Sequence, residues 1–142
     1  MFPDRKTACK VLDGEVGQGI GADLKEFGLL SLGFRENGFR NMTNNRGPIV
    51  EPADVEGLHM RVNGSQALSD IFQALGANPI QLDVNGLFTS LETGVVDSQD
   101  HPVPVTLSFR SYEGKDYMSL IWNAYSPDGR VMNLKAFNVL SN

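Results

Sequence analysis

Arg61 is the side chain in this sequence best placed to do chemistry. It lies in the run Gly57-Leu58-His59-Met60-Arg61-Val62, where strand alternation turns Leu58, Met60 and Val62 to one face and leaves His59 and Arg61 together on the other. A guanidinium on a rigid strand is a receptor for a carboxylate. Its planar fork pairs both oxygens, which a lysine point charge cannot do and a flexible loop holds less accurately. The bland alternative is an exposed strand arginine or an internal ion pair. A second polar group, Asp97-Ser98-Gln99-Asp100-His101, follows Val95-Val96. Asp97 and His101 suggest acid–base work or part of a metal site. Against both, the chain has only two histidines, His59 and His101, and one cysteine, Cys9, with none at zinc-ligand spacing. No serine sits in a nucleophile elbow and no acid pair has a sequence-evident pKa split, so a hydrolase built on His101 and Asp97 is set aside and no enzyme is expected. Gly17-Gln18-Gly19-Ile20-Gly21-Ala22 loosely fits a dinucleotide fingerprint, but no strand precedes it and its glycines fall inside a helical pattern. No cofactor is expected.

The elements that must position these groups read as a short doubly wound unit. Leu68, Ile71, Phe72 and Leu75 recur at helical spacing, which predicts one apolar helix face with Ser65 as N-cap and Gly76 as its stop. Pro79 to Leu82 predicts a strand. Val84, Leu87, Phe88 and Leu91 predict a second helix with Asn85 as N-cap and Gly94 as its end, and Val95 to Ser98 another strand. Two strand–helix steps with such short joints favour parallel strands and right-handed crossovers. Ligands of such sheets sit beyond the carboxyl ends of the strands, where Arg61 and Asp97 to His101 fall. Upstream, Val16, Ile20, Leu24 and Phe27 lie on one side of a helix, although Gly17, Gly19 and Gly21 each weaken it by about 1 kcal/mol relative to Ala. Leu29 to Phe34 reads as a strand, Asn44-Asn45-Arg46-Gly47-Pro48 as a loop and Pro52 to Val55 as a helical turn. Downstream, Pro102 to Arg110 predicts a helix, and Met118 to Tyr125 with Arg130 to Asn133 a strand pair around the turn Ser126-Pro127-Asp128-Gly129.

Composition excludes more than it selects. The 142 residues, 41% hydrophobic with mean hydropathy −0.20, suffice for a single core. A formal charge of −5 with 12 scattered Lys and Arg leaves no basic stripe for nucleic acid. The apolar runs are too short to span a bilayer, and the amino-terminal stretch lacks the basic-then-apolar pattern of a signal peptide. Cys9 has no internal disulfide partner, which leaves the redox compartment open. Asn41-Met42-Thr43 and Asn63-Gly64-Ser65 match the glycosylation triplet, a pattern frequent by chance.

Longer segments carry a resemblance. Val11-Leu12-Asp13-Gly14-Glu15-Val16-Gly17, Leu32-Gly33-Phe34-Arg35-Glu36-Asn37-Gly38-Phe39-Arg40, Asp54-Val55-Glu56-Gly57-Leu58, Leu75-Gly76-Ala77-Asn78-Pro79 and Leu91-Glu92-Thr93-Gly94-Val95-Val96-Asp97 occur in order. Tyr117-Met118-Ser119-Leu120 and Val131-Met132-Asn133 follow. Together they resemble the dicarboxylate-type substrate-binding subunits of tripartite ATP-independent periplasmic (TRAP) transporters. The resemblance implies an α/β, periplasmic-binding-protein-like (class II) lobe with a mostly parallel sheet flanked by helices. It is truncated relative to the two-lobed family, whose members are roughly twice as long. Residues 1–142 would then form a single partial domain: 1–37 a remnant of the first lobe and crossover, 38–122 the second-lobe core, and 123–142 the return segment toward the first lobe. The expectation is a fragment, naturally truncated or excised, periplasmic by resemblance and without a signal peptide of its own.

The resemblance also implies a site. In the family the arginine of the Gly-Leu-x-x-Arg segment pairs with the substrate carboxylate, and Arg61 holds that place. Arg40, after Gly38-Phe39, stands where members carry an arginine that reaches the ligand; its alternative is a surface arginine at a strand end. Where members read Gly-Gln-Glu-Asn-Pro, this chain has Ser98-Gln99-Asp100-His101-Pro102, so His101 replaces an asparagine ligand. Neutral imidazole offers one donor and one acceptor, and protonated imidazole two donors. Carboxylate binding is therefore expected to strengthen as pH falls toward about 6. A solvent-facing histidine at a helix start is the alternative. Val84-Asn85-Gly86-Leu87 replaces an aromatic and a carboxylate that line the family's cleft, and Trp122-Asn123 a basic residue and a histidine. Trp122 reads as core rather than cleft. The expected function is capture of an organic-acid carboxylate by Arg61, with Arg40, Gln99 and His101 in support, for delivery to membrane transporter subunits, with no metal and no nucleic acid. The alternative is a non-binding fragment that self-associates as a homodimer through faces left uncovered by the missing lobe.

Overall fold

A computed structural model describes residues 2–140, and the chain divides into two units: Phe39–Asn123 is one, and the segments before and after it form the other. In the first unit, β2 (His59–Val62) is drawn into a sheet by Met60 and Val62, both fully buried. The chain leaves it through α3 (Gln66–Ala74). The Ser65 hydroxyl caps this helix by accepting from the Leu68 amide at 3.4 Å, and Gly76 stops it at φ +81°, a conformation that only glycine adopts cheaply. β3 (Asn78–Gln81) returns parallel to β2, with Ile80 opposite Arg61. A 3-10 turn follows, capped by the Asp83 carboxylate rather than by Asn85, and α4 (Leu87–Glu92) leads on. β4 (Ser98–Pro102) pairs in parallel with the other side of β2, with Gln99 opposite Arg61.

Two long strands complete the sheet, β1 (Leu29–Asn44) and β5 (Tyr117–Asn133). Arg40 to Asn44 of β1 run antiparallel to β4, and the order is β3-β2-β4-β1-β5. The sheet is thus mixed: β3, β2 and β4 are parallel, as their short joints predict, and β1 is not. Met42, Leu58, Met60, Val62 and Phe72 form the core on it. Burial of side chains of this kind contributes about 1.5–3 kcal/mol each. Ile71 remains 49% exposed, so the apolar face of α3 is narrower than its spacing suggests.

The strand expected at Val95 to Ser98 begins only at Ser98, and α5 (Val103–Ser108) starts after Pro102. Pairing with β2 and β1, not apolar content, places this strand: Ser98 to Pro102 are all buried although four of the five are polar.

The other unit holds α1 (Arg5–Leu12), α2 (Glu15–Asp23), a 3-10 turn, the outer parts of β1 and β5, and α6 (Leu134–Leu140). Asp4 caps α1 by accepting from the Thr7 amide at 2.7 Å. α2 packs opposite to expectation: Gly17 and Gly21 are its buried residues, and Val16 and Ile20 are 59% and 47% exposed. A Cβ on Gly17 would meet the Leu12 carbonyl oxygen at 1.7 Å, and one on Gly21 the Ser31 Cβ at 2.9 Å. Close backbone approach, not an apolar stripe, seats this helix. The strand expected at Leu29 to Phe34 continues to Asn44. The strand pair expected around Ser126-Pro127-Asp128-Gly129 is one continuous strand of 17 residues. At the edge of the sheet β5 tolerates the missing N–H of Pro127, and Asp128 pairs with Arg35 at 2.6 Å instead of closing a turn. No helix among the described residues is long and apolar enough to cross a membrane.

Candidate functional site

Arg61 closes the carboxyl end of β2 and is 2% exposed. Its Nε and Nη2 donate to the Leu82 carbonyl oxygen at 3.0 and 2.7 Å, and its Nη1 donates to Nε2 of His101 at 3.1 Å. A guanidinium has five N–H donors; these bonds use three, and one on each terminal nitrogen is left without an acceptor among the described residues. No carboxylate forms an ion pair with Arg61 among the described residues. The guanidinium borders a hollow of about 400 Å³ with Asn63, Gly64 and Asp83.

His101 and Gln99 lie on β4, on the same face as Arg61. Gln99 Nε2 donates to Thr43 Oγ1 at 2.9 Å and to Thr106 Oγ1 at 3.5 Å, which turns Oε1 toward His101 Nδ1 at 2.5 Å. Oε1 only accepts, so Nδ1 carries the imidazole proton and Nε2 is left as the acceptor for Arg61. Reversing the Gln99 amide would force the proton to Nε2 and set it against an Arg61 N–H. Every contact in the chain from Thr43 to Arg61 therefore pairs a donor with an acceptor in one tautomer only.

Arg40 behaves differently. Its Nε donates to Asp100 Oδ2 at 2.7 Å and its Nη2 to Oδ1 at 2.9 Å and to the Asp100 carbonyl at 2.5 Å, with both side chains buried. Asn123 Nδ2 adds a bond to Asp100 Oδ2 at 3.2 Å. Arg40 is neither a surface arginine nor an unpaired one. With Arg40 met by Asp100 and His101 neutral, Arg61 is the one guanidinium of the two outside an ion pair among the described residues, and Asp83 borders the same hollow.

Burial, then the charges of Arg40 and Arg61, hold His101 down to about 4, against a weaker upward pull from Asp100. The imidazole is thus neutral at pH 6 and above. Protonation would place an N–H against the Arg61 N–H. Burial and the Arg40 charge also pull Arg61 below its ordinary range, opposed by Asp100 and Asp83. It stays charged all the same.

The structure therefore brings together Arg61, His101 and Gln99, while alternation turns Arg40 and its partner Asp100 to the other face of the β1–β4 ladder. Gln99 is fully buried, with both ends of its amide engaged inside the fold. Sequence reasoning did not find Thr43, Thr106 or the Leu82 carbonyl, and a backbone acceptor leaves no side-chain signal to find. Asp100 was in view, but its role as the Arg40 partner depends on the β1–β4 register. Trp122, read as core, is 57% exposed, with its ring stacked on Phe39.

Residues 1–142 match the family described as bacterial extracellular solute-binding protein, family 7. The chain is 41% identical over 141 residues to the 2,3-diketo-L-gulonate-binding periplasmic protein YiaO of Escherichia coli, covering 99% of this chain and 43% of that protein. Its backbone is similar to that of a TRAP periplasmic solute-binding protein from a Polaromonas species bound to D-erythronate. The TM-score there is 0.92 at 34% identity, over 96% of this chain and 45% of that one. It is also similar to the sugar-acid-binding protein DctPAm of Advenella mimigardefordensis in complex with galactonate, with a TM-score of 0.91 at 37% identity, over 96% of this chain and 44% of that one. The chain thus spans less than half the length of these relatives.

Proposed function

The chain belongs to the bacterial extracellular solute-binding proteins of family 7, a family of periplasmic binding proteins rather than enzymes, and on that premise we propose that it carries the carboxylate-receiving face of an organic-acid-binding protein serving a TRAP-type transporter. The observation that carries the reading is Arg61: a buried guanidinium that, among the described residues, has no ion-pair partner and keeps one unspent N–H on each terminal nitrogen, beside an open hollow. Burying a charge without an anion is costly, and a ligand carboxylate supplies the missing partner through charge-assisted hydrogen bonds. His101, whose Nε2 accepts from Arg61, orients the guanidinium and does not donate to the ligand. Gln99 fixes the His101 tautomer, and Arg40 with Asp100 stiffens the rim without adding charge. No bond is made or broken. In a longer two-lobed protein, closure over the ligand would exclude water and strengthen the pair.

Thermal melts with D-erythronate test this. A ligand present at about 100 times its Kd stabilises by about 3 kcal/mol, so the parent should melt higher as the acid is added. Arg61→Met should abolish the response. Arg61→Lys keeps the charge but cannot hold Leu82, His101 and a carboxylate at once, so it should weaken binding at least about tenfold. A parent that ignores the acid, or an Arg61→Met protein that responds like the parent, overturns the proposal.

A further inference from the structure

We propose that Asn63-Gly64 is a self-modification site that governs Arg61: attack by the Gly64 backbone nitrogen converts the Asn63 amide to a carboxylate, and that carboxylate takes the place at Arg61 that a free acid would occupy. The second step rests on the reading of Arg61 as carboxylate receptor, and the first does not.

The conversion needs an asparagine, a following backbone nitrogen free to reach its side chain, and no Cβ on that following residue to hinder the approach. Asn-Gly occurs three times, at 37–38, 63–64 and 85–86, and the structure separates the three. Asn37-Gly38 lies inside β1, where extended backbone holds the Gly38 nitrogen away from the Asn37 side chain. Asn85-Gly86 is tied down as well. The Asn85 amide and Nδ2 both donate to Asp83 Oδ1, at 2.9 and 2.7 Å, and the Gly86 amide donates to the Asp83 carbonyl at 3.2 Å. Asn63-Gly64 sits between β2 and α3 in neither element, and both residues are exposed. The Gly64 amide donates to no acceptor among the described residues. Asn63 Oδ1 accepts from the Ser65 amide at 3.1 Å, which curls the side chain forward across the Gly64 nitrogen.

The Gly64 nitrogen gives its proton to solvent and bonds to Asn63 Cγ. The Cγ–Nδ2 bond breaks, and Nδ2 leaves as ammonia with a proton from water. Water then opens the five-membered imide at either carbonyl, restoring one amide and leaving one carboxylate, as aspartate or isoaspartate at position 63. Its place follows from the strand. Asn63 stands two residues beyond Arg61, about 7 Å along the chain direction and within reach of a guanidinium, and both border the same hollow. Asn63 Nδ2, which has no partner among the described residues, becomes a charged acceptor facing the unspent N–H groups of Arg61. Asp83, the acid already at this rim, spends Oδ1 on Asn85 and forms no ion pair with Arg61.

The chain is aged in mildly alkaline buffer, mapped by peptide mass spectrometry, and melted with and without D-erythronate. Asn63 should convert at least about fivefold faster than Asn85, whose glycine amide must first give up a hydrogen bond, and faster than Asn37. Gly64→Ala should fold, because a Cβ there meets nothing within 4 Å, and should convert more slowly and keep its own fresh response to the acid. Asn63→Asp, made directly, should weaken D-erythronate about tenfold. Without any acid, it should raise the melting temperature of the parent more than that of Arg61→Met. Conversion at Asn85 or Asn37 as fast as at Asn63 overturns the modification site. Equal rises in the two backgrounds, or an aged parent that binds like the fresh one after converting, overturn the internal pairing. A fresh parent that ignores the acid overturns the reading of Arg61 as receptor, while the peptide map and the acid-free melts still decide the modification and the pairing.

Discussion

Replacing His101 by asparagine should flatten the acid limb of the stability curve. In the native protein His101 is held at about 4, against an ordinary value of 6.5, by burial and by Arg40 and Arg61, with Asp100 opposing. Between these two values the unfolded chain binds a proton that the folded chain refuses, so stability rises with pH across the interval. The contribution is complete above about pH 6.5 and is lost as pH falls toward 4. With 1.36 kcal/mol per pH unit, the loss relative to pH 7 is about 2 kcal/mol by pH 5 and about 3 kcal/mol by pH 4. Asparagine at 101 cannot titrate. Urea unfolding of the parent and His101→Asn at pH 7, 5 and 4 should give curves that diverge by those amounts, the parent falling faster. The carboxylates common to both proteins cancel in the difference. Ring NMR of His101 gives an independent check, because a local titration does not depend on how the two units unfold. Parallel urea curves, or a His101 ring that titrates near 6.5, would refute the donor–acceptor chain from Thr43 to Arg61.

The buried pair and the glycine face make further claims. Arg40→Met strands the Asp100 carboxylate in the fold and should cost about 3–5 kcal/mol, whereas adding Asp100→Leu should recover most of it. Thermal melts decide this, and a double variant no better than the single would remove the pair from the structural account. Gly17→Ala drives a methyl group into the Leu12 carbonyl oxygen and should destabilise by more than about 2 kcal/mol, as overpacking does. Gly19→Ala, on the same helix with open space around it, should stabilise by up to about 1 kcal/mol. Equal effects on the melting temperature would show that α2 does not pack through its glycines.

These contrasts indicate which parts of the molecule were legible in the sequence. Ser65, Gly76 and Gly94 were readable because a cap or a left-handed stop is a local event, decided within a few residues. The parallel arrangement of β2, β3 and β4 followed from short joints. β4 itself was misplaced by three residues, because Gln99, Asp100 and His101 look like a solvated segment and are buried only by virtue of their neighbours. The glycines of α2 read as helix weakeners because their use depends on a backbone that arrives from another element. Ser126-Pro127-Asp128-Gly129 has every residue of a turn and forms none, since an edge strand with Asp128 already paired to Arg35 has no need to reverse.

The misplaced strand is the one that matters most for function. A strand of buried Gln, Asp and His is a poor way to stabilise a sheet, because each group must find a partner or lose its hydration. Around Arg61 nearly all of them do: Gln99 on two threonines, His101 between Gln99 and Arg61, and Asp100 on Arg40 and Asn123. Among the described residues, the unpaired buried atoms of Asn44, Asp97 and Ser98 lie at the amino end of β4, where Asn44 and Ser98 face each other in the ladder. At the carboxyl end, one N–H on each terminal nitrogen of Arg61 stays unspent among the described residues. A scaffold built for stability alone sets an acid against a buried guanidinium, as Asp100 is set against Arg40. Two donors left open on a guanidinium whose other bonds are fixed inside the fold fit the carboxylate proposed for this site, and fixing those bonds in advance lowers the entropic cost of receiving it.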